Sequence, residues 1–331
     1  MTRPALGATS ETAEAELVLE LALALRERVL PALGSHAGRD HASGDSEEAG
    51  GDVTFAIDAD AEAFLEDFIV RRAPGLAFYS EDRGLVEPAA GSAERVLIVD
   101  PIDGTRPALA GFEAACVSVA LAPTRGPADA APTMGDVELG CVVEIKSGAH
   151  FLARRGGGLR SSAPVRPSPT TDLDRLFWTY GLRGRPAAPT IAVLGDLIDR
   201  SSVGGATFDL GSACYDMTRV ITGQLDAYIE PGPRLVDEVP GMREEFERVG
   251  RGSVLNNSPY DLAAAALCAR EAGVIVTDAA GHPLEDRPLL GSGAEYQMSV
   301  VTSASAALHD LLIEELDRGI ARLRAQAAAA S

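Results

Sequence analysis

The run Val96-Leu-Ile-Val99 passes without a break into Asp100-Pro-Ile-Asp103-Gly104-Thr105. Four consecutive apolar residues, three of them β-branched, predict a buried strand. Such strands belong to layered α/β proteins, and carboxylates at their C-terminal ends project into the crevice where these folds bind ligands. Pro101 fixes a turn that can bring Asp100 and Asp103 to one side. The segment therefore ties fold class to chemistry: a layered α/β protein with acids at a strand end.

Two carboxylates this close repel each other unless a cation lies between them. Oxygen ligands without a nearby His or Cys select Mg²⁺ or Mn²⁺ over zinc. Gly104 and Thr105 offer backbone N–H groups at a helix start, where a phosphate can be cradled. The plain alternative is a capped turn whose acids only hydrogen-bond the backbone. A phosphoryl-aspartate motif of the form D-x-D-G-T is excluded, because the residue two before Asp103 is Pro101.

The rest of the chain supports the layered reading. Residues 12–33 predict an amphipathic helix with Leu17, Leu21, Leu25 and Val29 on one face. Residues 35–51 read as a loop, Thr54–Ile57 as an extended piece. Asp58 opens a helix with Ala61, Phe64, Leu65, Phe68 and Ile69 at spacings of three and four. Strands are expected at Ala77–Ser80, Val96–Asp100, Ala115–Ala122, Leu139–Ile145 and His150–Ala153, with a hairpin excursion over 123–136. The second half predicts strands at Thr190–Leu194, Leu225–Glu230, Val274–Thr277 and Met298–Thr302. Its helices are expected at Ser212–Thr222, Asp261–Ala272 and Ser303–Arg324. A division near residue 170, in a Ser/Pro/Thr-rich stretch, gives residues 1–170 and 171–331 as two domains. Residues 231–257 carry an insertion with a short helix over 241–249, whose stripe of Met242, Phe246 and Val249 must pack on the parent domain or a second subunit.

Composition removes other classes. The 331 residues carry 49 acidic against 29 basic side chains, a net charge of −20, which repels nucleic-acid backbones. No apolar run reaches the roughly 18 residues of a membrane span, and Met1–Glu11 lacks the build of a signal peptide. Cys116, Cys141, Cys214 and Cys268 form no C-x-x-C pair and read as buried free thiols of a cytoplasmic protein.

Asp100-Pro-Ile-Asp-Gly-Thr105 resembles the D-P-I/L-D-G-T signature of the inositol monophosphatase family, and four further segments agree in order. Gly51-Asp-Val-Thr-Phe-Ala-Ile-Asp58 resembles its G-D-x-V-T-x-x-D segment and Tyr79-Ser-Glu81-Asp82 its G/S-E-E. Gly211-Ser-Ala-Cys-Tyr-Asp-Met with Leu225-Asp-Ala-Tyr-Ile-Glu230 resembles its G-S-A-A stretch and following strand. Ser258-Pro-Tyr-Asp261-Leu-Ala-Ala with Glu271-Ala-Gly273 resembles its second signature. The resemblance implies the layered α/β fold shared by inositol monophosphatase and fructose bisphosphatase, and a homodimer. It implies two or three Mg²⁺ per subunit, with Mn²⁺ as a substitute. Glu81, Asp100 and the carbonyl of Ile102 would hold one ion; Asp100, Asp103 and Asp261 a second. Glu81 and Thr105 would orient the attacking water with Asp58 behind Thr105, Gly104 and Thr105 would bind phosphate, and Glu230 would meet hydroxyls of the substrate's alcohol portion.

Taken singly, several of these residues have plainer readings: Asp58 and Asp261 as helix caps, Glu81 as a strand end, Glu230 as a surface acid. The chain also departs from the family pattern. Gly44-Asp-Ser-Glu-Glu-Ala lacks the loop's usual basic residue, Tyr260 replaces Trp, Thr207-Phe-Asp-Leu lacks the arginine that often precedes G-S-A-A, and 231–257 is longer. These changes gather on the alcohol side of the substrate. The expected activity is Mg²⁺-dependent hydrolysis of a small polyol or sugar phosphate, inositol monophosphate first, by metal-activated water. Fructose bisphosphate and an adenosine bisphosphate are the alternative substrates, and a non-catalytic binding protein the alternative class.

Overall fold

The seven strands of the first half form one sheet, and five strands of the second half form another. The structure, a computed structural model, describes residues 7–35, 37–39, 55–89 and 91–330. Helices α1 (Gly7–Val29) and α2 (Ala56–Arg72) precede strands β1 (Ala77–Ser80), β2 (Gly84–Val86) and β3 (Arg95–Asp103). After α3 (Thr105–Ala110) come β4 (Cys116–Pro123), β5 (Leu139–Glu144), β6 (His150–Arg154) and β7 (Gly158–Ser161). The second half runs β8 (Phe177–Tyr180), α4 (Ala187–Ser201), β9 (Ala206–Phe208), α5 (Ala213–Thr222), β10 (Ala227–Glu230), α6 (Gly232–Glu238) and α7 (Met242–Val249). It closes with α8 (Pro259–Glu271), β11 (Ile275–Thr277), β12 (Val300–Ser303) and α9 (Ala306–Ala330).

The first sheet has the order β2-β1-β3-β4-β5-β6-β7, antiparallel except for the β1–β3 pair. The second has the order β11-β12-β10-β8-β9, with β10, β8 and β9 parallel. Strand alternation assigns the faces. Leu97 and Val99 of β3 join α1 and α2 in one core, while Val96 and Ile98 join α5 and α8 in another. Tyr228 and Val300 reach that same middle core from the second sheet, and Ala227, Ile229 and Val301 face α4 and α9. The result is five layers, helix–sheet–helix–sheet–helix.

The middle layer explains the composition of α8. Residues 262–269 of this helix are all buried, as expected of a helix flanked by sheets on both sides. Its alanines allow close approach: a Cβ on Gly140 of β5 would lie 2.7 Å from the carbonyl oxygen of Ala264. Residue 170 falls between the sheets, yet α5 and α8 from the second half bury side chains against the first sheet.

Several sequence expectations need correction. Thr190–Leu194 is not a strand but part of α4, where Thr190, Val193, Leu194 and Leu197 are buried at helical spacing. A short apolar run does not reveal its own period. Phe55, the N-cap of α2, is extended at φ −96° and ψ 162°, but Ala56 and Ile57 are already helical, so the extended reading fails for those two; Thr54 lies outside the described residues. Most of 35–51 also lies outside them, with one 3₁₀ turn at Ala37–Arg39. The 123–136 excursion holds two 3₁₀ turns, at Pro127–Asp129 and Met134–Asp136, with Met134 buried. Strands β2, β7, β8 and β9 and helices α3, α4 and α6 are additional, most of them too short to show a periodicity.

The insertion packs on its own chain. Phe246 is fully buried and clusters with Leu235, Val239, Trp178, Leu308 and Leu312 on the outer face of the second sheet. Phe246→Ala is therefore expected to destabilise the protein by about 3–5 kcal/mol through loss of burial and the cavity left behind. Urea denaturation checks this; an unchanged midpoint would show that the insertion is not anchored there.

Candidate active site

In a regular strand, residues three apart point to opposite faces. Asp100 and Asp103 nevertheless share a face, because β3 bulges between them. Asp100 pairs with Ser118 and Asp103 with Cys116, so three steps along β3 match two along β4. The extra residue sits where Pro101 has no N–H to give the ladder. Both acids thereby turn toward the middle layer, where α5 and α8 begin.

Those helix starts hold the acids. Ser212 caps α5, accepting the Tyr215 N–H, and its hydroxyl donates to Asp103 Oδ2 at 2.7 Å. The Cys214 N–H donates to the same oxygen at 2.6 Å. Ser258, not Asp261, is the N-cap of α8; Asp261 is the third residue of that helix and accepts the Ser258 N–H at 2.6 Å. Tyr260, in the position of the family's Trp, stacks on Tyr79 at 6.4 Å between centroids, and its carbonyl accepts the Ser118 hydroxyl. Asp261 is thus fixed from both sides.

Asp100, Asp103 and Asp261 each offer an oxygen within 4.8 Å of the others. Burial raises all three acids above the ordinary carboxylate range. In Asp100 the charges of Glu81, Asp103 and Asp261 add to burial, and the Ile102 N–H opposes them. Asp261 is pushed up to about 7, by burial first and then by Asp103. Asp103 is raised by burial and eased by its bonds from Ser212 and Cys214. Two buried acids and a half-buried third that resist ionisation, held by helices and a bulge, need a positive charge among them. Hard oxygens fit Mg²⁺ or Mn²⁺.

Glu81 follows β1 and lines the same cleft, together with Ile102, Gly104 and Thr105. The turn that carries it is clamped by Glu62 of α2, which accepts the Ser80 hydroxyl at 2.7 Å and faces the Asp82 N–H at 3.5 Å. One helical turn earlier on α2, Asp58 accepts the Phe55 N–H through Oδ2. Its Oδ1 lies 3.0 Å from Thr105 Oγ1, which is also 3.2 Å from the Ile102 carbonyl oxygen. Gly104 has φ +91°, and a Cβ there would stand 2.5 Å from the Ala114 carbonyl oxygen and 2.8 Å from Ser212 Cβ. Only glycine fits.

Glu230 ends β10, fully buried, with its carboxylate on the cleft. It is not a surface acid: Oε1 lies 2.9 Å from Arg185 Nε and accepts the Gly232 N–H. Arg183, Arg185, Asp209, Asp216 and Asn257 complete the wall. Sequence reasoning assigned none of these five a role. The arginines lie in a loop after β8, a strand too short to be read, and Asp216 was quoted only as part of a motif. Ser212 and Glu62 were missed too, although a Ser directly before a helix carries a capping signal. The segment 44–49 lies outside the described residues.

The sequence model of the inositol monophosphatase family matches residues 14–321. The chain is 27% identical to the fructose-1,6-bisphosphatase/inositol-1-monophosphatase of Methanothermobacter thermautotrophicus over 275 residues, 81% of this chain and 85% of that protein. It is 27% identical to the Nus factor SuhB of Vibrio cholerae over 238 residues, 71% of this chain and 75% of that one. Among solved structures, the Thermotoga maritima IMPase shares the fold with a TM-score of 0.66 at 19% identity, covering 94% of this chain and 99% of that one.

Proposed function

We propose, for a chain that belongs to the inositol monophosphatase family, that it is a Mg²⁺-dependent phosphomonoesterase acting on a neutral polyol or sugar monophosphate, inositol monophosphate first. The observation that carries this is the convergence of Asp100, Asp103 and Asp261 from a strand bulge and a helix start. Glu81, Asp100 and the Ile102 carbonyl would hold one ion, and Asp100, Asp103 and Asp261 another. When bound, the ions lower the pKa of water, neutralise phosphate oxygens and stabilise the departing alkoxide.

The chain's own groups do the rest. Donation from Thr105 Oγ1 to Asp58 leaves a hydroxyl lone pair to accept a hydrogen bond from the attacking water and orient it. Glu81, kept in place by the Glu62 clamp on its neighbours, would orient the same water. The N–H groups of Gly104 and Thr105 would hold charge developing on the phosphoryl oxygens.

Charge balance on the alcohol side supports a neutral polyol. Arg185 pairs with Glu230 and its charge also acts on Asp209, and Asp216 lines the same wall, so a second phosphate there would meet more carboxylates than this one arginine neutralises. Among the described residues, the aromatic side chain lining the cleft is Tyr228, buried and hydrogen-bonded to Asn257, and offers no face to a nucleobase. Fructose bisphosphate and adenosine bisphosphate are therefore the less favoured substrates. A relative is named a Nus factor, but a net charge of −20 opposes phosphate backbones, and the reading here is the catalytic one.

Phosphate release with Mg²⁺, and with chelator as control, across inositol, sugar and nucleotide phosphates tests this reading. A preference for polyol monophosphates is expected. Release that is metal-independent, absent, or strongest on bisphosphates would overturn it.

A further inference from the structure

Arg185 reaches the cleft from the loop between β8 and α4 and is nearly buried, at 7% exposure. It is held on three sides. Nη1 donates to the Arg183 carbonyl at 2.7 Å, Nη2 lies 3.5 Å from Asn257 Oδ1, and Nε lies 2.9 Å from Glu230 Oε1. Asn257 is itself fixed, donating to the Tyr228 hydroxyl at 3.0 Å. On the other partner, Glu230 Oε1 accepts the Gly232 N–H and meets Arg185 Nε as an ion pair rather than an aligned hydrogen bond, while Oε2 and Arg185 Nε are both buried with no hydrogen-bond partner among the described residues. Gly181 leaves room for that oxygen: a Cβ there would lie 2.6 Å from it.

A fully buried carboxylate with one oxygen engaged by an N–H and an ion pair and the other unmatched has unspent hydrogen-bonding capacity. It lines the cleft that takes the substrate's alcohol portion. We infer that Arg185 is a positioning residue: it locks Glu230 Oε1 so that Oε2 stands as a preset acceptor for one hydroxyl of the substrate, and the neutral Arg185–Glu230 pair makes the wall selective for uncharged polyols. This rests on the phosphatase reading above. The lead-in to Gly211-Ser-Ala lacks an arginine in this chain; the buried cation comes instead from a different loop.

The pairing gives a sharp test. Arg185→Met keeps the unbranched stem of the side chain and removes the guanidinium, leaving Glu230 without a counter-ion and unfixed. The ratio of kcat/KM for inositol monophosphate to that for phenyl phosphate, which has no hydroxyl, is expected to fall about 10- to 100-fold, the worth of one hydrogen bond to a charged acceptor. The fall should appear mainly in KM for the polyol ester. Arg185→Lys should recover part of it. Because a lone buried carboxylate can impair folding, the double variant Arg185→Met/Glu230→Gln provides a second route, with no unpaired charge. If the two residues act as one unit, its ratio should match the worse single variant rather than the product of both losses. Equal losses on the two esters, or strictly multiplicative losses in the double variant, would overturn the inference while leaving the phosphatase intact. No Mg²⁺-dependent release by the wild type from either ester would instead overturn the reading on which it rests, and the inference with it.

Discussion

Replacing Asp100 with asparagine is expected to cut Mg²⁺-dependent phosphate release by on the order of 10²-fold or more, while raising the melting temperature of the metal-free protein. The two effects have one cause. Asp100 is buried among Glu81, Asp103 and Asp261, and the charges of all three raise it. An amide keeps the acceptor for the Ile102 N–H, now at 2.9 Å, and turns a donor toward the remaining acids. It removes repulsion from the metal-free fold and removes a hard ligand from the metal-loaded one. Wild-type turnover in this variant would sink the metal reading. An unchanged metal-free melting temperature at alkaline pH would show that the acids are not in conflict.

The same acids set a pH dependence whose sign follows from linkage. Asp261 titrates near 7 in the fold against an ordinary carboxylate value of 3.8, and Asp100 is also raised. The folded state therefore binds these protons more tightly than the unfolded chain. Their contribution is fully present below the unfolded value and is lost as pH rises through the folded one. Metal-free protein should lose stability from about pH 4 to beyond pH 7 through these groups, and Mg²⁺ should restore it at the upper end, where the ligands are deprotonated. Asp100→Asn should flatten the metal-free profile. Thermal melts in chelator and in Mg²⁺ across this range provide the check.

How far the sequence revealed this site varies with the kind of signal. Strands such as β3, with four apolar residues in a row, and helices such as α2, with regular spacing, were legible because burial imposes a period. So were the acids near their ends: Glu81 follows β1, Asp103 ends β3 and Asp261 lies in the first turn of α8, while Asp100, expected at the end of the strand, lies inside it because β3 continues to Asp103. What the sequence could not show was how Asp100 and Asp103 come to one face. That depends on the register of β4, which pairs Ser118 and Cys116 with them, and register is a property of two strands. The Arg185–Glu230 pair was hidden for a similar reason. Its partners are 45 positions apart, Arg185 in a loop with no periodicity and Glu230 at the end of β10, and the parallel pairing of β8 with β10 brings them together. Thr190–Leu194 misled because five apolar or small residues fit a strand and one flank of a helix equally.

Gly104→Ala is the second large effect, and it separates geometry from charge. At φ +91° an alanine costs about 1–2 kcal/mol in backbone strain alone. Its Cβ would also meet the Ala114 carbonyl oxygen at 2.5 Å and Ser212 Cβ at 2.8 Å, distances that side chains essentially never show. Neither neighbour yields easily: Ala114 adjoins Ala115, whose carbonyl accepts the Ile145 N–H, and Ser212 is fixed by its bonds to Tyr215 and Asp103. Relief must come from moving residues 103–105, which displaces Asp103 from Ser212 and Thr105 from Asp58. Activity is expected to fall on the order of 10²-fold, with a loss of several kcal/mol in stability. Gly111→Ala is the control. It has φ +76°, but its Cβ would meet Gly34 Cα at 3.4 Å, an ordinary contact. It should share the backbone strain, lower stability by about 1–2 kcal/mol, and leave turnover close to wild type. If both variants lose activity equally at matched stability, strain in the fold rather than placement of Thr105 and Asp103 would account for the loss, and the role given to the glycine turn would fail.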